Sequence, residues 1–314
     1  MVEQKVEQKV EQKETETEPQ LPGGNPGRIE RVGVIGCGLM GSGIAEVTAR
    51  AGLDVVVIEV NGDALTAGQR RIEGSLNKAV SRGKLEAGLR DEALSRMHFT
   101  TSFDELGDRD LIMEAVVENF DIKAGVWTDV DKVAQPGSIL ATNTSSIPIM
   151  RLAMLTQRPQ DFVGLHFFNP VPVMRLVELV SSLLTSEETR DRAGAFAEAV
   201  LGKHLVQSKD RSGFIVNALL IPYLLSAVRM LESGFATAAD IDTGMVEGCA
   251  HPMGPLALSD LIGLDTIYAV AESLYEEFKE PLYAPPPMLA RMCEAGLLGR
   301  KTGRGFYDYH GSGK

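Results

Sequence analysis

A chain of 314 residues, 44% hydrophobic and 24% charged, holds enough apolar material for a soluble globular protein of two domains. Its net charge of −12 argues against a nucleic-acid-binding surface, which needs a basic patch, but leaves room for a local cluster that pairs with phosphate. Cys37, Cys249 and Cys293 are odd in number and widely spaced, with neither CxxC nor metal spacing, which points to a reducing, cytoplasmic setting.

In chain order, residues 2–13 repeat Val-Glu-Gln-Lys three times. The repeat sets glutamate on glutamate and lysine on lysine at i,i+4, which destabilises a helix, so residues 1–27 are expected to be a disordered tail. No basic and apolar signal regions open the chain, and the longest apolar run, 214–228, is short for a membrane span and contains Asn217, Pro222 and Tyr223. Residues 31–36 read as a buried strand, 40–51 as a helix closed by Gly52, 54–59 as a second strand and 63–82 as a long helix. Further strands are expected at 97–100, 110–116 and 138–142, with a helix at 121–133. Strands at 162–166 and 175–180, a helix at 187–201 and a last strand at 203–206 follow. From about Ser212 only helical periodicity remains, at 214–231, 237–247, 256–278 and 288–295. Alternating strands and helices imply a doubly wound, mostly parallel α/β sheet over 28–210, and the change of pattern places an all-α domain over 211–314.

The turn Gly36-Cys37-Gly38-Leu39-Met40-Gly41 follows a strand and opens a helix, the context that makes a glycine fingerprint informative. Gly36 permits the tight turn, Gly38 lets backbone approach a pyrophosphate, and Gly41 allows close helix–strand packing. The N–H groups at the helix start, around Leu39 and Met40, then face the phosphates. Glu59 can accept from both ribose hydroxyls and would repel a 2′-phosphate; with no arginine directly after it, NAD is favoured over NADP.

His166 lies at the end of a strand-like run, where ligands of α/β folds bind, and Glu178 follows on the next strand. Alone, the histidine reads as a satisfied core residue and the glutamate as a solvated strand residue. Beside a dinucleotide site they read as a general base and the carboxylate that orients it, the equipment for oxidising an alcohol.

The motifs Val-Ile-Gly-Cys-Gly-Leu-Met-Gly (34–41), Glu-Ala-Val-Val-Glu-Asn (114–119), Asn-Thr-Ser-Ser (143–146), Gly-Leu-His-Phe-Phe-Asn-Pro-Val-Pro-Val-Met (164–174), Gly-Phe-Ile-Val-Asn (213–217), His-Pro-Met-Gly-Pro (251–255) and Lys-Thr-Gly-Arg-Gly-Phe-Tyr (301–307) occur in this order. Through them, over residues 31–309, the chain resembles the 3-hydroxyacyl-CoA dehydrogenases, in particular the stand-alone bacterial 3-hydroxybutyryl-CoA dehydrogenases. The resemblance implies a Rossmann-type domain with NAD, an all-α substrate domain that forms a homodimer, and an acyl-CoA substrate of fatty-acid β-oxidation or short-chain metabolism. It casts His166 as general base with Glu178, Ser145 as donor to the reacting oxygen and Asn217 as substrate anchor. Glu118, Lys123, Asn169 and Lys301 join the cofactor set, while Ser75, Arg82 and Ser145 would contact CoA, Arg82 standing where the family often carries lysine. Read without it, Ser145 is a helix N-cap, Asn217 a buried helix-interface residue, Asn169 a turn residue and Lys123 a surface lysine. Neither a metal site, a nucleic-acid partner nor a membrane is implied, and His251 reads as architectural. Two alternatives stay open: a dehydrogenase of another β-hydroxy acid on this plan, and a non-catalytic dinucleotide-binding relative.

Overall fold

The structure, a computed structural model, describes residues 28–310, so the Val-Glu-Gln-Lys tail lies outside the described residues. Strands β1 (Arg31–Ile35), β2 (Asp54–Ile58), β3 (Met97–Thr100), β4 (Leu111–Glu114), β5 (Ile139–Thr142), β6 (Phe162–Phe167), β7 (Leu176–Ser181) and β8 (His204–Lys209) form one sheet in the order β3-β2-β1-β4-β5-β6-β7-β8. All neighbours pair parallel except β6 and β7, which run antiparallel. The chain leaves β1 toward β2 and β3, then returns to β4 on the other side of β1. That reversal is the switch point at which α/β sheets open a crevice at their strand ends.

Helices α1 (Leu39–Arg50), α2 (Gly62–Ser81), α3 (Ala87–Ser95), α4 (Phe120–Val133), α5 (Ile149–Ala153) and α6 (Glu187–Ala195) cover the sheet. Because strand side chains alternate, Val55 and Val57 face a layer with Ile44, Ile72 and Leu76, whereas Val56 and Ile58 face one with Trp127, Val130 and Leu152. Two helices, α3 and α5, were not expected from periodicity, being short and weakly patterned. The expected helix at 187–201 loosens into a π turn at Phe196–Val200.

Beyond β8 the chain is helical: α7 (Val216–Glu232), α8 (Ala238–Cys249), α9 (Pro255–Ile262), α10 (Leu264–Phe278) and α11 (Pro287–Glu294). Leu264, Ile267, Ala271 and Leu274 make an i, i+3, i+7, i+10 stripe on α10 that packs with Leu224, Val228, Leu256 and Leu289. The single helix expected over 256–278 is broken at Gly263, whose φ of +105° lies outside helical space. Apolar periodicity continues across the break, which hides it in the sequence. Among the described residues, no helix is long and apolar enough to cross a membrane.

Candidate active site

At the β1/β4 switch point lies a cleft of 510 Å3 lined by Gly36, Gly38, Leu39, Met40, Glu59 and Val116, among others. Gly36 turns at φ +88°, and a Cβ there would sit 2.8 Å from the Ala115 carbonyl. Gly41 tolerates no side chain at all, since its Cβ would come 1.7 Å from the Gly36 carbonyl oxygen. Gly38 differs: a Cβ there meets no protein atom within 4 Å. Helix α1 also starts with no side-chain cap and no acidic residue in its first turn, whereas α2, α4 and α6 have both. An open helix N-terminus with space before it fits a dinucleotide pyrophosphate.

Glu59 borders the same cleft, its Oε1 accepting from the Cys37 N–H at 2.6 Å and its Oε2 from the Val60 N–H at 3.1 Å. Each oxygen keeps acceptor capacity for a ribose hydroxyl. Burial, reinforced by the Glu59 charge and opposed by Arg71, pushes the Cys37 thiol up to about 12, so it stays protonated behind the loop.

A second network ties β4 to the loop after β5. Glu114, fully buried at the end of β4, accepts from Lys123 Nζ (2.6 Å), Thr142 Oγ1 (2.7 Å) and the Val116 N–H (2.8 Å). Lys123 is itself only 1% exposed and reaches Glu118 Oε2 at 3.3 Å. Glu118 Oε1 in turn accepts from Thr144 Oγ1 (2.5 Å), the Ser145 and Ser146 N–H groups (3.0 and 3.1 Å) and Ser146 Oγ (3.0 Å). Burial pushes the Glu118 pKa upward, but the Lys123 charge and these donors outweigh it and leave it lowered. Lys123 is thus no surface lysine but the buried cation between two carboxylates that hold the serine loop.

The antiparallel pairing of β6 and β7 sets His166 directly opposite Glu178. Nδ1 of the ring lies 2.7 Å from Glu178 Oε2, and Oε1 of the fully buried carboxylate accepts from the Ile215 and Val216 N–H groups at 3.0 and 2.9 Å. A carboxylate facing Nδ1 places the ring proton there and leaves Nε2 as an acceptor with no hydrogen-bond partner among the described residues. Phe168 and Phe214 flank the ring at 4.6 and 5.5 Å between centroids. Gly213 (φ +76°) and Phe214 (φ +48°) turn the chain so that α7 begins on Glu178; Asn217, half-buried, sits in its first turn.

Several other residues singled out from the sequence stand as follows. Ser145 is half-buried, its Oγ 3.5 Å from Glu118. Asn169 is exposed. Lys301 pairs with Asp265 at 2.5 Å in the helical region. On α2, Ser75 is half-buried while Arg82 is exposed at the helix end. His251 bonds Tyr223 at 3.0 Å.

Glu114, Thr142, Thr144, Arg71 and Lys203 were not picked out. A carboxylate closing the apolar strand Leu111–Glu114 was the available signal for Glu114. Lys203, buried, holds the loop after Asn169 by donating to the Val171 and Met174 carbonyls at 2.6 and 2.8 Å. Nothing in its local sequence marks that role.

Residues 31–211 match the family model of the 3-hydroxyacyl-CoA dehydrogenase NAD binding domain, and 213–309 that of its C-terminal domain. A 3-hydroxybutyryl-CoA dehydrogenase of Mycobacterium tuberculosis is 57% identical over 282 residues, 90% of this chain and 99% of the relative. The solved structure of FadB2 from M. tuberculosis is similar at a TM-score of 0.89 with 57% identity, covering 90% of this chain and 99% of that one. The structure of (S)-3-hydroxybutyryl-CoA dehydrogenase from Ralstonia eutropha follows at 0.85 and 44%, with the same coverage.

Proposed function

Because the chain belongs to the 3-hydroxyacyl-CoA dehydrogenase family, we propose that it interconverts (S)-3-hydroxybutyryl-CoA and acetoacetyl-CoA with NAD. The observation that carries this reading is the His166–Glu178 pair, oriented by a buried carboxylate and left with one free ring nitrogen. Gly36, Gly38, Leu39, Met40, Gly41 and Glu59 would hold NAD in the cleft, where it would supply the hydride acceptor for C3 of the substrate. His166 Nε2 takes the proton of the 3-hydroxyl as the alcohol is oxidised and returns it on reduction. The imidazolium formed is stabilised by Glu178, whose charge is already fixed by two N–H donors. Ser145 and Asn217 donate to the substrate oxygens, where preorganised donors act on developing charge.

Glu118 and Lys123 serve the cofactor site by setting the serine loop; Asn169 and Lys301 complete it. Arg82, exposed on α2, is the proposed contact to a CoA phosphate, with Ser75 a second contact on the same helix. The assembly is a homodimer through the helical region, supported by Leu219 and Phe235, which are 71% and 78% exposed. Free thiols at Cys37, Cys249 and Cys293 favour a cytoplasmic setting, in β-oxidation or short-chain acyl-CoA metabolism.

The test is NADH oxidation with acetoacetyl-CoA, run beside NADPH and free acetoacetate. Turnover that requires both NADH and the thioester is expected. Activity on free β-hydroxy acids without CoA dependence would overturn the substrate assignment.

A further inference from the structure

Beside Glu59 stands a cation that the reaction does not use. Arg71, on α2, donates from Nη1 to the carbonyl of Cys37 at 2.6 Å. The N–H of the same residue donates to Glu59 Oε1 at 2.6 Å. One residue of the phosphate loop therefore carries a guanidinium at its carbonyl and a carboxylate at its amide. Both charges reach the buried Cys37 thiol, Glu59 raising its pKa and Arg71 lowering it, after burial itself.

Gly68 explains how Arg71 gets there. A Cβ at Gly68 would lie 2.5 Å from Cys37 Sγ and 3.1 Å from its carbonyl oxygen, so α2 seats against the loop only with glycine at that position. Arg71 is three residues further on and shares that helix face. Glu59 accepts from the Cys37 and Val60 N–H groups and forms no ion pair with Arg71. The exposed guanidinium keeps most of its donors uncommitted.

We propose that Arg71 is a specificity-determining residue opposed to Glu59: the carboxylate excludes a 2′-phosphorylated nicotinamide cofactor, and the guanidinium binds that phosphate once the carboxylate is neutralised. The inference rests on the NAD reading of this cleft. No arginine directly follows Glu59 in the chain. Here the arginine arrives from the next helix. Planar guanidinium donors suit a phosphate dianion, while a carboxylate at the same ribose repels it.

Equilibrium titration tests this without acyl-CoA, using NADH and NADPH fluorescence and calorimetry with adenosine 2′,5′-bisphosphate. The unaltered protein should prefer NADH. Glu59→Gln should gain NADPH and bisphosphate affinity by roughly 10–100-fold, the range for a charge-assisted contact. Glu59→Gln/Arg71→Met should lose most of that gain, and Glu59→Gln/Arg71→Lys should keep part of it. Equal NADPH affinity in Glu59→Gln and Glu59→Gln/Arg71→Met would overturn the proposal. Should Glu59→Gln not fold, Glu59→Ser with and without Arg71→Met takes its place, and equal NADPH affinity in those two variants overturns the proposal. Since no acyl-CoA is present, failure of the substrate assignment is read separately, as NADH binding without thioester turnover; a chain that binds neither coenzyme overturns both.

Discussion

Two helix N-termini in this protein meet opposite fates. Helix α1 opens with Gly38, no cap and no acidic residue, toward free space in the cleft. Helix α7 opens against Glu178, a carboxylate with no solvent exposure that accepts its first N–H groups. Both ends carry the same partial positive charge. The first leaves it for an external anion; the second uses it to hold an internal one in line with His166. An identical backbone feature is thus left open to the cleft in one place and closed by a histidine-paired carboxylate in the other.

The sharpest break of that contrast is His166→Gln, which removes the imidazole but touches neither helix end. Acetoacetyl-CoA reduction should fall roughly 10²–10⁴-fold while NADH titration stays close to the unaltered value. Unchanged turnover would take His166 out of proton transfer.

Lys123→Met leaves the fully buried Glu114, and Glu118 beside it, without their cation. A loss of about 3–5 kcal/mol is expected in urea denaturation, the cost of breaking a buried pair from one side. The pH dependence sharpens it. The Glu118 pKa is lowered on folding, so its contribution is present above the unfolded carboxylate pKa and lost as pH falls through the folded value. This part of the acid limb should shrink in Lys123→Met, and an identical limb would show that Lys123 does not set it.

Glu178→Gln keeps the shape of the cap but removes its charge. Denaturation should show a loss of about 1–3 kcal/mol, the range for weakening bonds to a buried charged group, with turnover reduced because the imidazolium loses its partner. Retained rate with reduced stability would make Glu178 a helix cap only.

The glycines divide the remaining effect. Gly41→Ala forces a carbon into the Gly36 carbonyl and should destabilise by about 1–3 kcal/mol. Gly38→Ala meets no protein atom, so thermal unfolding should be unchanged while NADH affinity drops. Unaltered NADH affinity in Gly38→Ala would mean that the cofactor does not approach the backbone there.

Much of this was readable in advance because it is local. The β3 strand, Met97–Thr100, has the bounds expected from its residues, and the glycine turn and Glu59 fall where the pattern puts them. His166 and Glu178 were singled out by residue type, but their contact depends on the reversal of β7 against β6. Lys123 joins the cofactor set only through the resemblance and otherwise reads as a surface lysine; its burial against Glu114 comes from another strand. The break at Gly263 escaped because α9 and α10 bury the same kind of residue on either side of it.

What the sequence determined by itself is therefore what short-range physics controls: alternating strand and helix periods, the glycines that a tight turn demands, and the residue types that hydride-transfer chemistry needs. Only the tertiary structure decided which charges meet. The Glu114–Lys123–Glu118 chain, the Glu178 cap on α7 and the arrival of Arg71 at the phosphate loop each join residues from separate elements. Their partners are chosen by sheet order and helix seating, and a buried charge must find whichever counter-charge or donor that packing brings within reach.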